Sequence, residues 1–100
     1  MRYEATIKSI KNINTFDAEI SLGFGVRVRS TLRLKDISSL KDKNSKFYGA
    51  IEYLNATLVN KKVLIDIKLA KEYSLAIVYF DSRNINQELI DKGLAKVFKK

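Results

Sequence analysis

Apolar residues return at every second position through three consecutive stretches of this chain and then switch to a spacing of three and four. That change of period restricts the fold more than any other property of the sequence. Tyr3, Ala5 and Ile7 alternate with polar neighbours, as do Phe16, Ala18, Ile20 and Leu22, then Val26, Val28, Leu32 and Leu34 with Ser30 in the same phase. Each run predicts a half-buried strand. Gly23-Phe24-Gly25 supplies the reversal between the second and third, because glycine accepts the positive φ that tight hairpins demand. From about Asn44 the period lengthens, and Phe47, Ala50, Ile51, Leu54 and Leu58 mark an amphipathic helix ending near Asn60-Lys61. Val63, Ile65 and Ile67 restore the period of two. Leu75 to Phe80 is a continuous apolar run short enough for a buried strand, broken by the turn residues Asp81-Ser82-Arg83-Asn84. Asn84 with Gln87 has the form of a capping box, Leu89 and Ile90 give a buried stripe, and Gly93 sits where a helix C-terminus takes a left-handed residue. A second helix of about two to three turns is expected there. Three strands, a helix, two strands and a helix predict a mostly β (α+β) chain, a five-stranded OB-fold barrel with two helices.

Nothing divides this order into separate units. There is no proline, no Gly/Ser linker, no low-complexity tract and no internal repeat, so residues 1–100 are expected to form one domain with a thin core. Cysteine, histidine and tryptophan are absent, which removes thiol nucleophiles, disulfides, Cys/His zinc sites, a Ser-His-Asp triad and histidine acid-base catalysis together. No cofactor is expected. Met1-Arg2-Tyr3-Glu4 runs straight into the alternating pattern with no apolar signal segment, and no stretch of about 18 apolar residues follows, so a cytoplasmic protein with no membrane partner is predicted.

A net charge of +8 implies an acidic partner more than it implies a fold. Arg27, Arg29, Arg33, Lys35, Lys41, Lys43 and Lys46 stand against only Asp36 and Asp42 in one stretch, and Lys96, Lys99 and Lys100 make the C-terminus basic. Such a run reads either as a solvated strand face with a polar loop or as a surface for nucleic acid or nucleotide. Tyr48, Tyr73, Tyr79 and Phe98 are candidate stacking surfaces, with a core position the rival reading for Tyr79 and a cover over the barrel end the rival for Phe98.

The run Asn84-Ile85-Asn86-Gln87-Glu88-Leu89-Ile90-Asp91-Lys92-Gly93-Leu94-Ala95-Lys96-Val97 resembles the C-terminal signature of the staphylococcal nuclease-like (thermonuclease) family. The segment from Gly49 through Tyr53-Leu54 to Leu58 and Val63 resembles that family's first helix and following strand, and Leu22-Gly23-Phe24-Gly25 resembles the hairpin of its small bacterial and phage members. The resemblance implies an OB barrel of the staphylococcal nuclease-like type. It also implies an active site that this chain has altered. The family's calcium-holding Asp-Gly-Asp-Thr turn aligns with Asn12, Ile13, Asn14 and Thr15, its second metal-binding Asp with Ser38, and the Glu credited with activating water with Lys41. The phosphate-contacting arginine is kept as Arg33. The second arginine aligns with Tyr73, across a two-residue shortening.

An amide or hydroxyl offers a neutral oxygen where calcium takes six to eight oxygens with charged carboxylates among them, so no metal site and no catalytic residue is expected. Loss of the base alone removes a factor on the order of 10² to 10⁴. Asp17 and Glu19 alternate with core residues and Asp36 abuts a basic strand, so these acids read as solvated rather than as substitutes. The resulting expectation is a catalytically degenerate nuclease-like domain binding nucleic acid or nucleotides through Arg33, Arg29, Lys35, Lys46 and Tyr73. Two alternatives stay open: a protein-binding adaptor or inhibitor of the kind phages encode, and a weak residual metal-dependent nuclease.

Overall fold

The three alternating runs become an antiparallel meander in the computed structural model, which describes residues 2–69 and 74–98: β1 (Arg2–Asn12), β2 (Thr15–Gly23) and β3 (Val26–Leu34). A short β4 (Ile37–Ser38) precedes helix α1 (Ser45–Leu58). Then come β5 (Lys62–Leu69), β6 (Ser74–Phe80), a two-residue β7 (Arg83–Asn84), helix α2 (Ile85–Asp91) and a two-residue β8 (Lys96–Val97). β5 pairs antiparallel with β1 and with β6, and β6 returns to β3 in parallel over Leu32–Leu34. The ring β1-β2-β3-β6-β5 is therefore a closed five-strand barrel, OB-like, with two helices.

Closure requires the long first strand to bend. β1 slips register against β2 between Ile7 and Ser9 and again between Ile10 and Asn12, two bulges that curl it around the barrel. Inward positions of the five strands, among them Ile7, Phe16, Ala18, Leu32, Leu34, Ile65 and Val78, are fully or almost fully buried. Phe47, Ala50, Leu54 and Leu58 of α1, with Ile85 and Leu89 of α2, join the same core. Asn44 caps α1 by accepting from the Lys46 and Phe47 amides.

The structure departs from the sequence reading in four places. β6 is not buried on both faces: Ala76 and Val78 point inward, whereas Tyr79 is half-buried on the outside beneath the Arg2 guanidinium, 4.8 Å from the ring centroid. α1 stops at Leu58 with Val59 as its cap, and Asn60 takes a positive φ of 65°. Only half of the capping box forms on α2, since Asn84 accepts from the Gln87 amide while the Gln87 side chain reaches forward to Asp91 at 2.8 Å. The strands β4, β7 and β8 were not expected. They are too short to show a period, and Asp81 and Ser82, both at positive φ, form the turn that folds β7 back on β6.

The C-terminal end of α2 behaves as its glycine predicts. Gly93 (φ 69°) donates to the Ile90 carbonyl at 3.0 Å and Leu94 to that of Leu89 at 2.9 Å, the paired bonds of a Schellman ending. α2 is tied to the barrel through Asn86, which is 6% exposed. Its Oδ1 accepts from the Val78 amide at 3.0 Å, and its Nδ2 donates to the carbonyls of Ala76 at 3.0 Å and Lys35 at 3.1 Å.

α1 and α2 meet at a polar contact in which the Tyr53 hydroxyl donates to Glu88, whose other oxygen lies 3.5 Å from Arg83. Burial, then the bonded Glu88 carboxylate, push the Tyr53 hydroxyl above the ordinary tyrosine value, against a smaller downward pull from Arg83. Because folding raises this pKa, the associated stability is complete below about pH 10 and is lost as pH climbs through the folded value. The melting-temperature advantage of the wild type over Tyr53→Phe should therefore shrink as pH rises above about 10. A constant difference across that range in thermal melts would show that the phenol does not titrate in this contact.

Candidate functional site

The β1–β2 turn is held in place by a residue the sequence reading passed over. Ile13 is fully buried, so Asn12 and Asn14 on either side of it are anchored at the barrel rim. The Leu34 amide donates to the Asn14 carbonyl at 2.9 Å, which draws the turn onto the end of β3. The Asn14 Nδ2 then donates to the Ile37 carbonyl at 3.3 Å, while its Oδ1 accepts from the Thr15 hydroxyl at 3.1 Å. Asn12 accepts through Oδ1 from the Ile13 amide at 2.7 Å and from the Ser39 hydroxyl at 2.6 Å. Ser38 donates to the Ser39 carbonyl at 3.4 Å. Asn12 and Asn14 are thus tied to Ser39 and Ile37, with Ser38 between these two in the chain.

These groups are wired to one another rather than aimed at a common empty point. Among the described residues no three acidic side chains come together as a metal-holding group. The oxygens at this rim are amide, hydroxyl and carbonyl oxygens, and they offer a hard cation no compensating charge.

Arg33 is exposed on β3, in register with Thr15 on one side and with Leu75 of β6 on the other. Since Leu32 and Leu34 point inward, Arg27, Arg29, Thr31 and Arg33 share the outer face of the strand. Arg29 is roughly 13 Å from Arg33 along this row, by the strand rise. It sits opposite Glu19, whose carboxylate pairs with Arg27 at 3.7 Å. Asp17 completes the acidic side of the face. Burial pushes its carboxyl up, but hydrogen bonds from Thr31 and Ser9, each at 3.2 Å, and the Lys11 ammonium at 3.5 Å outweigh this and leave it below the ordinary value. The acids of β2 are structural partners of their neighbours.

The remaining predicted residues fall in different places. Lys35 is half-buried at the β3–β4 turn, its amide donating to Ala76 at 2.9 Å. Lys41 is exposed in the loop before α1. Lys46 sits in the first turn of α1 with its ammonium 3.9 Å from where a Cβ on Gly93 would lie, so it faces the end of α2. There the last carbonyls favour a cation. Tyr48 and Phe98 are exposed, and Phe98 donates its amide to the Asp36 carbonyl at 2.8 Å. Tyr73, Lys99 and Lys100 lie outside the described residues. Of the proposed phosphate-binding set, Arg33 stands in register with Thr15 of the amide-lined turn, Lys35 lines a cleft beside α2 with Asn84 and Gln87, and Arg29 and Lys46 lie elsewhere.

Ser39 and Asn86 carry weight that sequence reasoning did not assign. Neither has a local signal: each acts through partners far away in the chain. Leu22, Val26 and Val28, which the alternation placed on the buried face of β2 and β3, are exposed, while Phe24 stands in the turn where it was expected.

Fold and rim together describe a small OB-like barrel with a basic outer strand and a neutral, hydrogen-bonded corner. No protein-family model matches the chain, and no curated protein matches it significantly. Among the described residues, no helix is long and apolar enough to cross a membrane.

Proposed function

We propose that this chain is a catalytically degenerate domain of the staphylococcal nuclease-like type that binds nucleic acid or nucleotides at the basic rim around Arg33. The observation that carries the reading is the internal bonding of the rim. The Asn14 amide gives its N–H to Ile37 and its oxygen to Thr15, while Asn12 and Ser38 are engaged with Ser39. Phosphodiester cleavage needs an activated water and concentrated positive charge on the phosphoryl oxygens, supplied by a cation or by several arginines. A neutral corner beside one exposed arginine supports holding a phosphate and not breaking it.

Binding of a fluorescent single-stranded oligonucleotide, followed by anisotropy, tests the proposal. Affinity should fall steeply as salt rises, because each neutralised phosphate releases counterions. Arg33→Ala should weaken binding by roughly tenfold, the order expected for one charge-assisted contact, and should make the log–log salt slope shallower by about 0.7. Salt-independent binding, or none, would overturn the reading in favour of a protein partner. Cleavage of single-stranded DNA with calcium, magnesium or manganese, abolished by Arg33→Ala, would overturn it in favour of a residual nuclease.

The adaptor alternative has an observation of its own. The β2–β3 hairpin displays apolar residues to solvent that the barrel does not use.

A further inference from the structure

Among the described residues, β3 is an edge for most of its length. Among the described residues it pairs with β2 from Val26 to Arg33 but with β6 only over Leu32–Leu34, so Val26–Thr31 has a strand neighbour on one side only. Its hairpin closes at the Gly23–Val26 pair, which leaves Phe24 at a positive φ of 54° and fully exposed. Leu22, Val26 and Val28 are 46%, 52% and 41% exposed. On the inward side, Tyr3, Ile20, Leu22, Val28 and Ile67 line an apolar cavity of about 390 Å³ at this open end of the barrel. That volume is within the range of roughly 300–1,000 Å³ typical of ligand pockets. On the outward side of the same strand stand Arg27 and Arg29.

We propose that the Val26–Thr31 edge docks an extended peptide whose residues alternate between apolar and acidic. A strand added here hydrogen-bonds to the edge backbone, and its side chains alternate between the two faces. One set enters the cavity beside Val28 and Ser30. The other set lies next to Arg27 and Arg29, where carboxylates are the complementary charge. In the Arg27–Glu19 pair, 3.7 Å apart, the guanidinium is exposed and the carboxylate half-buried, so an incoming carboxylate meets Arg27 from the solvent side.

A second copy of this chain fits the edge badly. Antiparallel pairing of two β3 edges about Val28 sets Arg27 of one copy opposite Arg29 of the other, and like charges directly opposite repel. Nucleic acid would engage the arginines and stack on Phe24 but would leave the aliphatic wall of Leu22, Val26 and Val28 uncovered.

The test uses a fluorescein-labelled, end-capped eight-residue peptide of alternating valine and glutamate, with valine–serine and valine–lysine peptides as controls. The valine–glutamate peptide should bind at least tenfold more tightly than either control. Its binding should slow hydrogen exchange of amides within Val26–Thr31. The double variant Arg27→Glu, Arg29→Glu should lose the valine–glutamate peptide and gain the valine–lysine one, a swap that misfolding cannot produce. Binding that ignores peptide charge, an absent swap, or unchanged exchange in Val26–Thr31 overturns the proposal. So does displacement of the peptide by oligothymidylate that protects the same amides, which would assign the edge to nucleic acid. The oligonucleotide reading at Arg33 is decided separately by its own variant.

Discussion

Asn86→Ala should lower the melting temperature by roughly 15 °C, the largest single effect of any polar substitution in this chain. The side chain is buried and satisfies three main-chain groups from two other parts of the fold: the Val78 amide and the carbonyls of Ala76 and Lys35. Alanine leaves Val78 N–H and Lys35 C=O without this partner. The Ala76 carbonyl keeps the Lys35 amide at 2.9 Å. One buried and one half-buried group stripped of partners, at about 1–3 kcal/mol each, give a loss on the order of 3 kcal/mol, large against a domain stability of about 5–15 kcal/mol. Asn86→Asp is a sharper control. A carboxylate still accepts from Val78 but turns an acceptor toward the carbonyls of Ala76 and Lys35, so its folded pKa rises above the unfolded value. Stability of that variant should then recover as pH falls, because the protonated acid donates again. An Asn86→Ala melt within about 3 °C of wild type would show that the contact contributes little.

Asn14→Asp, the change that would restore an acid to the β1–β2 turn, should destabilise the protein by about 1–2 kcal/mol, or roughly 5–10 °C in the melt. Asn14 gives its Nδ2 to the Ile37 carbonyl at 3.3 Å, and a carboxylate oxygen in that place meets another acceptor. Asn12→Asp should behave differently. The Asn12 oxygen faces two donors, the Ile13 amide and the Ser39 hydroxyl, and a carboxylate accepts from both, so the expected change is within about 0.5 kcal/mol. Added calcium should leave both melts unmoved, since one carboxylate among neutral oxygens gathers too little charge. Equal melting temperatures for the two variants would refute the asymmetry. A calcium-dependent rise in either would mean that the rim can still recruit ligands.

Much of the architecture was legible because periodicity is a local property. The alternating runs gave β1, β2 and β3, the three-and-four spacing after Asn44 gave α1, and the Asn84 cap with Gly93 bracketed α2. The capping box was half right for a reason visible only in the fold: with Asp91 one turn ahead, the Gln87 amide bonds forward instead of back. Tyr79 was misplaced because a continuous apolar run looks the same whether one face or both are covered. The outer face of β6 carries Leu75, Ile77 and Tyr79 half-exposed.

The candidate site was legible in part. The resemblance to the nuclease-like family implied that Asn12, Asn14, Ser38 and Arg33 lie near one another, and the turn, the start of β4 and the end of β3 do meet. Grouping Arg29 and Lys46 with them rested on charge alone. Charge carries no register, and the structure sets Arg29 across from Glu19 and Lys46 beside Gly93.

By itself the sequence determined the kinds of element and their order, and the absence of histidine and cysteine chemistry, because spacing and composition are complete in the chain. Only the tertiary structure decided what each polar group faces. Asn14 meets Ile37 across 23 residues, and Asn86 meets Lys35 across 51. Among the described residues, the one-sided pairing of Val26–Thr31 likewise follows from the register of β6 against β3, which begins at the Leu32–Ser74 pair. Such contacts depend on how strands are registered when the barrel closes, a condition that no local period encodes.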